Sequence, residues 1–455
     1  MHRRHHYEMD MCSGTLLPKI IRFTLPLVLT GVLQLLYNAA DVVVVGQFAG
    51  EEALAAVGST GSLINLIVNI FMGLGVGASV VIARAYGARD FEAVHRGVHT
   101  AILVAAIGGV LVGIVGIFAA RPLLELMDSP ENVIDGATLY MQIYFIGMPA
   151  NMLYTFGAAI LRAVGDTKRP LYYLSVAGII NVVLNLFLVI VCNLAVAGVA
   201  IATVISQIVS MVLVMVCLMR SEGAIHLDLR KVRFHGKCLL EILRVGLPAG
   251  LQGSLFSISN VLIQSAVNSF GSTVMAGNAA ASNLEGFIYT SMNAVYQADM
   301  TFASANYGAG AYKRVRKTLW LCQATVVVVG LGLGMIFLAF GSPLLSIYNT
   351  NPDVIHYGLI RMAIICPTYF LCGMMDTTVG QLRGVGYSIL PMIVSLTGAC
   401  LLRIVWIYTF FAADPTLNTL YISYPISWGA TFLIHLLCYA IADRKLAKKF
   451  AVASS

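Results

Sequence analysis

The sequence predicts an all-α membrane protein: twelve transmembrane helices in two pseudo-symmetric six-helix bundles, related as parallel repeats. Three observations predict it. First, 59% of the 455 residues are hydrophobic and 11% are charged, against roughly 25% charged in ordinary soluble domains. So few charges cannot cover a soluble surface of this size, and the bilayer must be the main solvent. Second, the apolar runs are long enough to cross a bilayer as helices and lack the short alternation of barrel strands. Third, the chain repeats itself. Tyr86-Gly87-Ala88 recurs as Tyr307-Gly308-Ala309, Leu161-Arg162-Ala163-Val164-Gly165 as Leu382-Arg383-Gly384-Val385-Gly386, and Pro122-Leu123-Leu124 as Pro343-Leu344-Leu345, all at an offset of 221 residues. Pro26 and Pro248 pair at nearly the same spacing. A duplicated hydrophobic chain suggests a transporter with its substrate site where the halves face each other.

The spans centre on 18–46, 55–84, 96–120, 133–162, 168–192 and 194–219 in the first half, and on 240–268, 273–303, 317–341, 355–382, 388–412 and 418–442 in the second. Six spans per half is an even number, so both halves enter the membrane in the same sense. The expected organisation is a cytoplasmic tail (1–16), a first lobe (17–219), a cytoplasmic linker (220–239), a second lobe (240–443) and a basic tail (444–455). With both termini inside, 25 of the 28 Lys and Arg fall on cytoplasmic segments, Arg121 falls outside, and Arg361 and Arg403 lie within spans. This is the positive-inside pattern of a plasma-membrane protein. The +7 net charge is therefore a topology signal and gives no reason to expect nucleic acid as a partner. His2-Arg3-Arg4-His5-His6 reads as a solvated basic tail. The nine cysteines form no metal spacing and read as small buried apolar residues. No cofactor is expected, and the chain is expected to act as a monomer.

Within the spans, glycines 73, 75 and 77 crowd the second helix, where small residues allow helices to approach closely. Pro26, Pro149, Pro248 and Pro367 lie inside spans and are expected to kink them.

Four acids fall in apolar spans: Asp41, Glu285, Asp299 and Asp376. Each costs about 2.5–3.5 kcal/mol at mid-membrane on the insertion scale. Asp299 lies near the inner end of its span and is expected to snorkel to the interface. The first helix carries Gln34, Tyr37, Asn38 and Asp41 on one stripe, at i, i+3, i+4 and i+7. The eighth repeats the arrangement with Asn278, Ser282, Glu285, Tyr289, Asn293 and Tyr296. The fifth places Asn181 and Asn185 one turn apart, and the sixth puts Thr203, Gln207 and Ser210 on one face. A carboxylate among amide and hydroxyl oxygens suits a proton or a hard monovalent cation, so Na⁺ at Asp41 is the one metal considered. The bland alternative is interhelical hydrogen bonding, worth about 0.6 kcal/mol per contact.

The doubled six-helix plan, Asp41 followed by residues 42–46, the Tyr86-Gly87-Ala88 loop and the Leu-Arg-x-x-Gly turns resemble the multidrug and toxic compound extrusion (MATE) family over about residues 15–443. The resemblance implies a pair of six-helix bundles that exports drugs and metabolites, mostly cationic and amphipathic, in exchange for H⁺ or Na⁺. It implies a coupling role for Asp41, with Asn181 and Thr203 at the family's cation-site positions. Asn185 stands where many relatives have Asp, and Asn38 is grouped with this set. Asp376 matches an acid that some branches carry on the tenth helix, and Glu285 an acidic position of another branch. Gln34, Tyr37, Asn278, Ser282, Glu285, Tyr289 and Asp376 are the substrate-binding candidates. Beside a passive channel, which pseudo-symmetric lobes and asymmetric buried acids suit less well than alternating access, two rival functions stay open. One is a flippase or exporter of a lipid-linked or oligosaccharide substrate on the same fold, which should favour basic residues at its site. The other is a membrane enzyme, but His435 is the only histidine well inside a span and has no metal spacing around it, so no catalytic residue is assigned.

Overall fold

The structure, a computed structural model, describes residues 7–454, so the tract His2 to His6 lies outside the described residues. Among the described residues there is no strand. The long rods are α1 (Leu16–Phe48), α2 (Glu51–Gly87), α3 (Phe91–Leu126), α4 (Glu131–Ile146 and Met148–Ala163), α5 (Lys168–Val191) and α6 (Ala195–Arg220) in the first half. The second half has α7 (Gly236–Asn268), α8 (Ser272–Gly308), α9 (Tyr312–Ala339), α10 (Pro352–Ile365 and Tyr369–Gly384), α11 (Ile389–Phe411) and α12 (Leu417–Ser454). Ten of them are long and apolar enough to cross a membrane, if each bent pair counts as one span. α7 and α8, with 33 and 37 residues, are long enough but carry more polar positions, Glu285 and Asp299 among them.

Proline acts where the chain can give way. α4 bends by 50° at Gly147, with Pro149 in the first turn of its second part. α10 bends by 49° across a break that contains Pro367. Proline removes one helical hydrogen bond and clashes with the preceding turn, so a bend is its ordinary consequence. Pro26 and Pro248 instead lie inside single continuous helices. α5 ends in a π-helical stretch, Phe187–Val191. α11 holds two, Leu396–Leu401 and Ile407–Phe411.

The repeat extends to single dihedral angles. α2 stops at Ala88 (φ −71°, ψ −5°) and α8 at Ala309 (φ −74°, ψ −5°). The next residues, Arg89 and Gly310, are both left-handed, at φ 55° and 73°. Gly165 and Gly386 match likewise, at φ 87° and 102°. In each of these turns an amide reaches back to Leu161 O (from Asp166 N, 2.9 Å) or Leu382 O (from Tyr387 N, 2.8 Å). The Leu-Arg-x-x-Gly sequence is therefore a helix stop whose last residue supplies the positive φ.

Contacts divide the chain into two compact units. The first holds residues 7–10 and Val32–Ser254; the second holds Met11–Gly31 and the chain from Leu255 onward. Both borders fall inside helices, α1 and α7. In the first unit α3 packs on α2 and on both parts of α4, and α5 lies along α6. There α2 meets α7 through glycine. A Cβ on Gly73 would stand 2.2 Å from Gly250 N, and one on Gly77 would stand 2.2 Å from Ile242 O. Only hydrogen fits at either place. Gly75 faces Phe156 at ordinary contact distance, 3.8 Å. The linker is tied to α3: Asp228 N donates to His99 Nε2 at 3.1 Å and His235 N to Thr100 Oγ1 at 3.3 Å. In the second unit α8 packs on α9 and on both parts of α10, and α10 packs on α12.

Two expectations need correction. Asp299 does not reach an interface. It is fully buried, and neither carboxylate oxygen has a hydrogen-bond partner. Depth along a span does not fix which way a residue faces, and Asp299 faces the interior of its unit beside Cys322. Nor are all the cysteines buried: Cys322, Cys366, Cys372 and Cys400 are, but Cys192, in the α5–α6 connection, is exposed.

Candidate functional site

The polar residues gather in two clusters, one in each unit. In the first, α1, α5 and α6 bring Asp41, Asn185, Asn181, Ser206 and Thr203 into one chain. Asn185 Nδ2 donates both to Asp41 Oδ1 and to Asn181 Oδ1, the latter at 2.9 Å. Asn181 Nδ2 donates to Ser206 Oγ at 3.2 Å, and Ser206 Oγ donates to the Thr203 carbonyl at 2.8 Å. The Thr203 hydroxyl itself turns back to Val199 O at 3.0 Å. Asn181 and Asn185 are buried, and Asn185 Oδ1 has no hydrogen-bond partner. An orphaned acceptor beside a carboxylate is what an incoming proton donor or cation would use.

The rest of the α1 stripe does not join this chain. Gln34 and Asn38 are exposed. The Tyr37 ring lies on Gly178, so close that a Cβ there would fall 1.9 Å from the ring, and its hydroxyl reaches Ser175 O at 3.4 Å. Tyr37 thus packs α1 on α5. Ser206, which completes the chain, was not singled out from sequence. Serine is at home in membrane helices, and only its place three residues after Thr203 marks it.

The second cluster is built on an ion pair. Glu285 on α8 accepts three bonds from Arg361 on α10: from Nε at 3.1 and 3.2 Å and from Nη2 at 2.9 Å. Both side chains are buried. Arg361 Nη1 donates to Asn278 Oδ1 at 2.9 Å, and Tyr421 OH donates to the same oxygen at 3.2 Å. Asn278 Nδ2 in turn donates to Gln264 Oε1 at 3.2 Å. The guanidinium of Arg361 also lies over the rings of Tyr421 and Tyr424, at 5.4 and 5.3 Å. Glu285 is therefore not a free acid. Sequence showed Arg361 inside a span but gave no sign that it meets a residue 76 positions away.

Tyr289 is partly exposed, stacks on Tyr369 at 6.2 Å and faces the Asp376 carboxylate. Asp376 forms no ion pair among the described residues. Ser282 is half-buried and joins neither network. Among the described residues no three His, Cys, Asp or Glu side chains gather as a metal-binding group.

Two repeated sets of membrane-length helices, each with a buried polar cluster, define a multi-span membrane transporter. The comparisons give its family: the MatE family model matches residues 26–187 and again 248–409, so the chain belongs to the MatE family. The two matches begin at Pro26 and Pro248, the proline pair of the repeat. A probable multidrug resistance protein of Bacillus subtilis, YoeA, is 27% identical over 82% of this chain and 82% of its own length. An FAD transporter of Shewanella oneidensis is 24% identical over 91% of this chain and 92% of its own. Among solved structures, a MOP superfamily transporter from Pyrococcus furiosus superposes with a TM-score of 0.90 at 22% identity, covering 96% of this chain and 98% of that one.

Proposed function

We propose that the chain is a secondary active antiporter that exports cationic or amphipathic drugs and metabolites in exchange for H⁺ or Na⁺ by alternating access. The observation that carries this reading is the Asp41–Asn185–Asn181 chain: an acid in an apolar span, held by amides from another helix, with an acceptor oxygen left over. Proton or Na⁺ binding at Asp41 neutralises the charge that anchors this node. Each positive charge moving inward down ~100 mV supplies about 2.3 kcal/mol. On this reading residues 17–219 and 240–443 are the functional lobes, and the protein acts as a monomer in the plasma membrane with both termini cytoplasmic. Asp41, Asn181, Asn185 and Thr203 couple the ion. Asp376 is the second-lobe acid still open to a cationic guest, because Glu285 is neutralised by Arg361. The runner-up is an exporter of lipid-linked or oligosaccharide cargo, which the buried Arg361 and Arg403 favour.

The test uses purified protein in sealed vesicles, with a fluorescent cation inside and Na⁺ and pH gradients applied separately. Efflux should respond to one gradient, and Asp41→Asn should reduce it to background while the protein still inserts. Undiminished gradient-driven efflux by Asp41→Asn would remove Asp41 from the mechanism.

A further inference from the structure

Arg361 is answered by an acid, and Arg403 is not. Arg403 lies on α11 between the two π-helical stretches and is 3% exposed. Its Nε donates to Ser427 Oγ at 2.9 Å, the only hydrogen bond it makes among the described residues. Its guanidinium lies 4.5 Å from the centre of the Tyr424 ring and 5.7 Å from that of Trp428. Tyr424, Cys372, Cys400 and Tyr369 are titratable side chains near it, and among the described residues no carboxylate forms an ion pair with it. Arg361 lies 5.3 Å from the same Tyr424 ring. Two guanidinium groups therefore share one aromatic ring, while among the described residues only one carboxylate, Glu285, pairs with either. Cation–π contacts return about 0.5–2 kcal/mol each. Removing an ion from water costs several kcal/mol even after relaxation. Asp376, which like Arg403 lies beside Cys372, forms no ion pair with it among the described residues, so no carboxylate answers Arg403 directly.

Flat apolar faces adjoin that charge. The Trp428 ring lies 5.2 Å from Tyr369 and 5.5 Å from Tyr424, and Tyr369 stacks on Tyr289. We propose that Arg403, with Ser427, is an anion-binding subsite within the second unit. It takes the carboxylate, sulfonate or phosphate head of a small amphipathic molecule whose planar part lies against Tyr369, Tyr424 and Trp428. The inference deepens the exporter reading by adding anionic amphiphiles to its cargo. Binding can be measured without transport, so the two stand or fall separately.

The experiment places the full chain in phosphatidylcholine nanodiscs and compares pyrenebutyrate with pyrenebutanol by fluorescence anisotropy, against empty nanodiscs. A charge-assisted pair predicts about tenfold tighter binding of the carboxylate. Arg403→Gln should erase that preference and leave pyrenebutanol binding unchanged, whereas Arg403→Lys should keep part of it. Equal affinity of the two probes for the unmodified protein overturns the proposal even if Arg403→Gln fails to fold. Repeating the titration with phosphatidylglycerol present separates two sources of the same head chemistry. Loss of the preference assigns the site to an anionic lipid head, and its survival assigns it to a dissolved anion. Asp41→Asn should abolish export and keep the binding preference.

Discussion

Glu285 and Arg361 neutralise each other in the buried interior of the second unit. Removing one partner of a buried pair costs about 3–5 kcal/mol, because the other charge stays buried and unmatched. Glu285→Gln and Arg361→Gln should therefore each lower the thermal midpoint strongly. The double substitution should recover most of the loss. Equal losses in all three variants would show that the two charges are not coupled. Sequence located all four span acids, because an acid in an apolar run cannot be overlooked. It did not give their state. Asp41 and Asn185 are joined across 144 positions, Glu285 is spent on Arg361, and Asp299 faces the Cys322 thiol, yet the local sequence around each acid does not announce its neighbour. What separates them is which neighbour each helix face meets, and that is a tertiary property.

Among the elements, the turns after α2 and α8 are two versions of one device. The second uses Gly310 at the left-handed position and the first uses Arg89. A side chain costs roughly 1–2 kcal/mol there, and glycine avoids most of it. Arg89→Gly should accordingly stabilise the protein by up to about 1 kcal/mol, the gain being offset by the freer unfolded chain. Gly310→Ala should destabilise it. Thermal melts in detergent would show both, and a lower midpoint for Arg89→Gly would contradict the assignment. These turns were legible from sequence, since the motifs that revealed the repeat are the helix stops. Kinks were legible only in part. All four span prolines looked alike, but α4 and α10 break at theirs while α1 and α7 continue through. Gly147, immediately before the second part of α4, marks one breaking site. The Pro367 break has no such neighbour in sequence.

For the whole molecule, twelve rods in two sixes were readable from hydropathy and repetition together, although composition alone recognises ten. The missing two are α7 and α8, which carry Gln264, Asn278 and Glu285 of the second cluster among their polar positions. The division into compact units was not readable, because its borders fall inside α1 and α7, where no loop or change of composition marks them. The proposed orientation has a direct check at Cys192. In a background without the other cysteines, a membrane-impermeant maleimide should label Cys192 on intact cells. A cysteine introduced by Glu222→Cys in the linker should react only after permeabilisation. The opposite pattern would invert the topology.

The π-helical ends of α5 and α11, at 187–191 and 407–411, amount to stored slack. A π turn holds one residue more than the α turn it replaces. Drawing that residue into α geometry would swivel everything beyond it by about 100° and shift it about 1.5 Å along the axis. Each rod could thus re-aim its tip while its packed half stays still. Both halves of the molecule carry this adjustment at matching places.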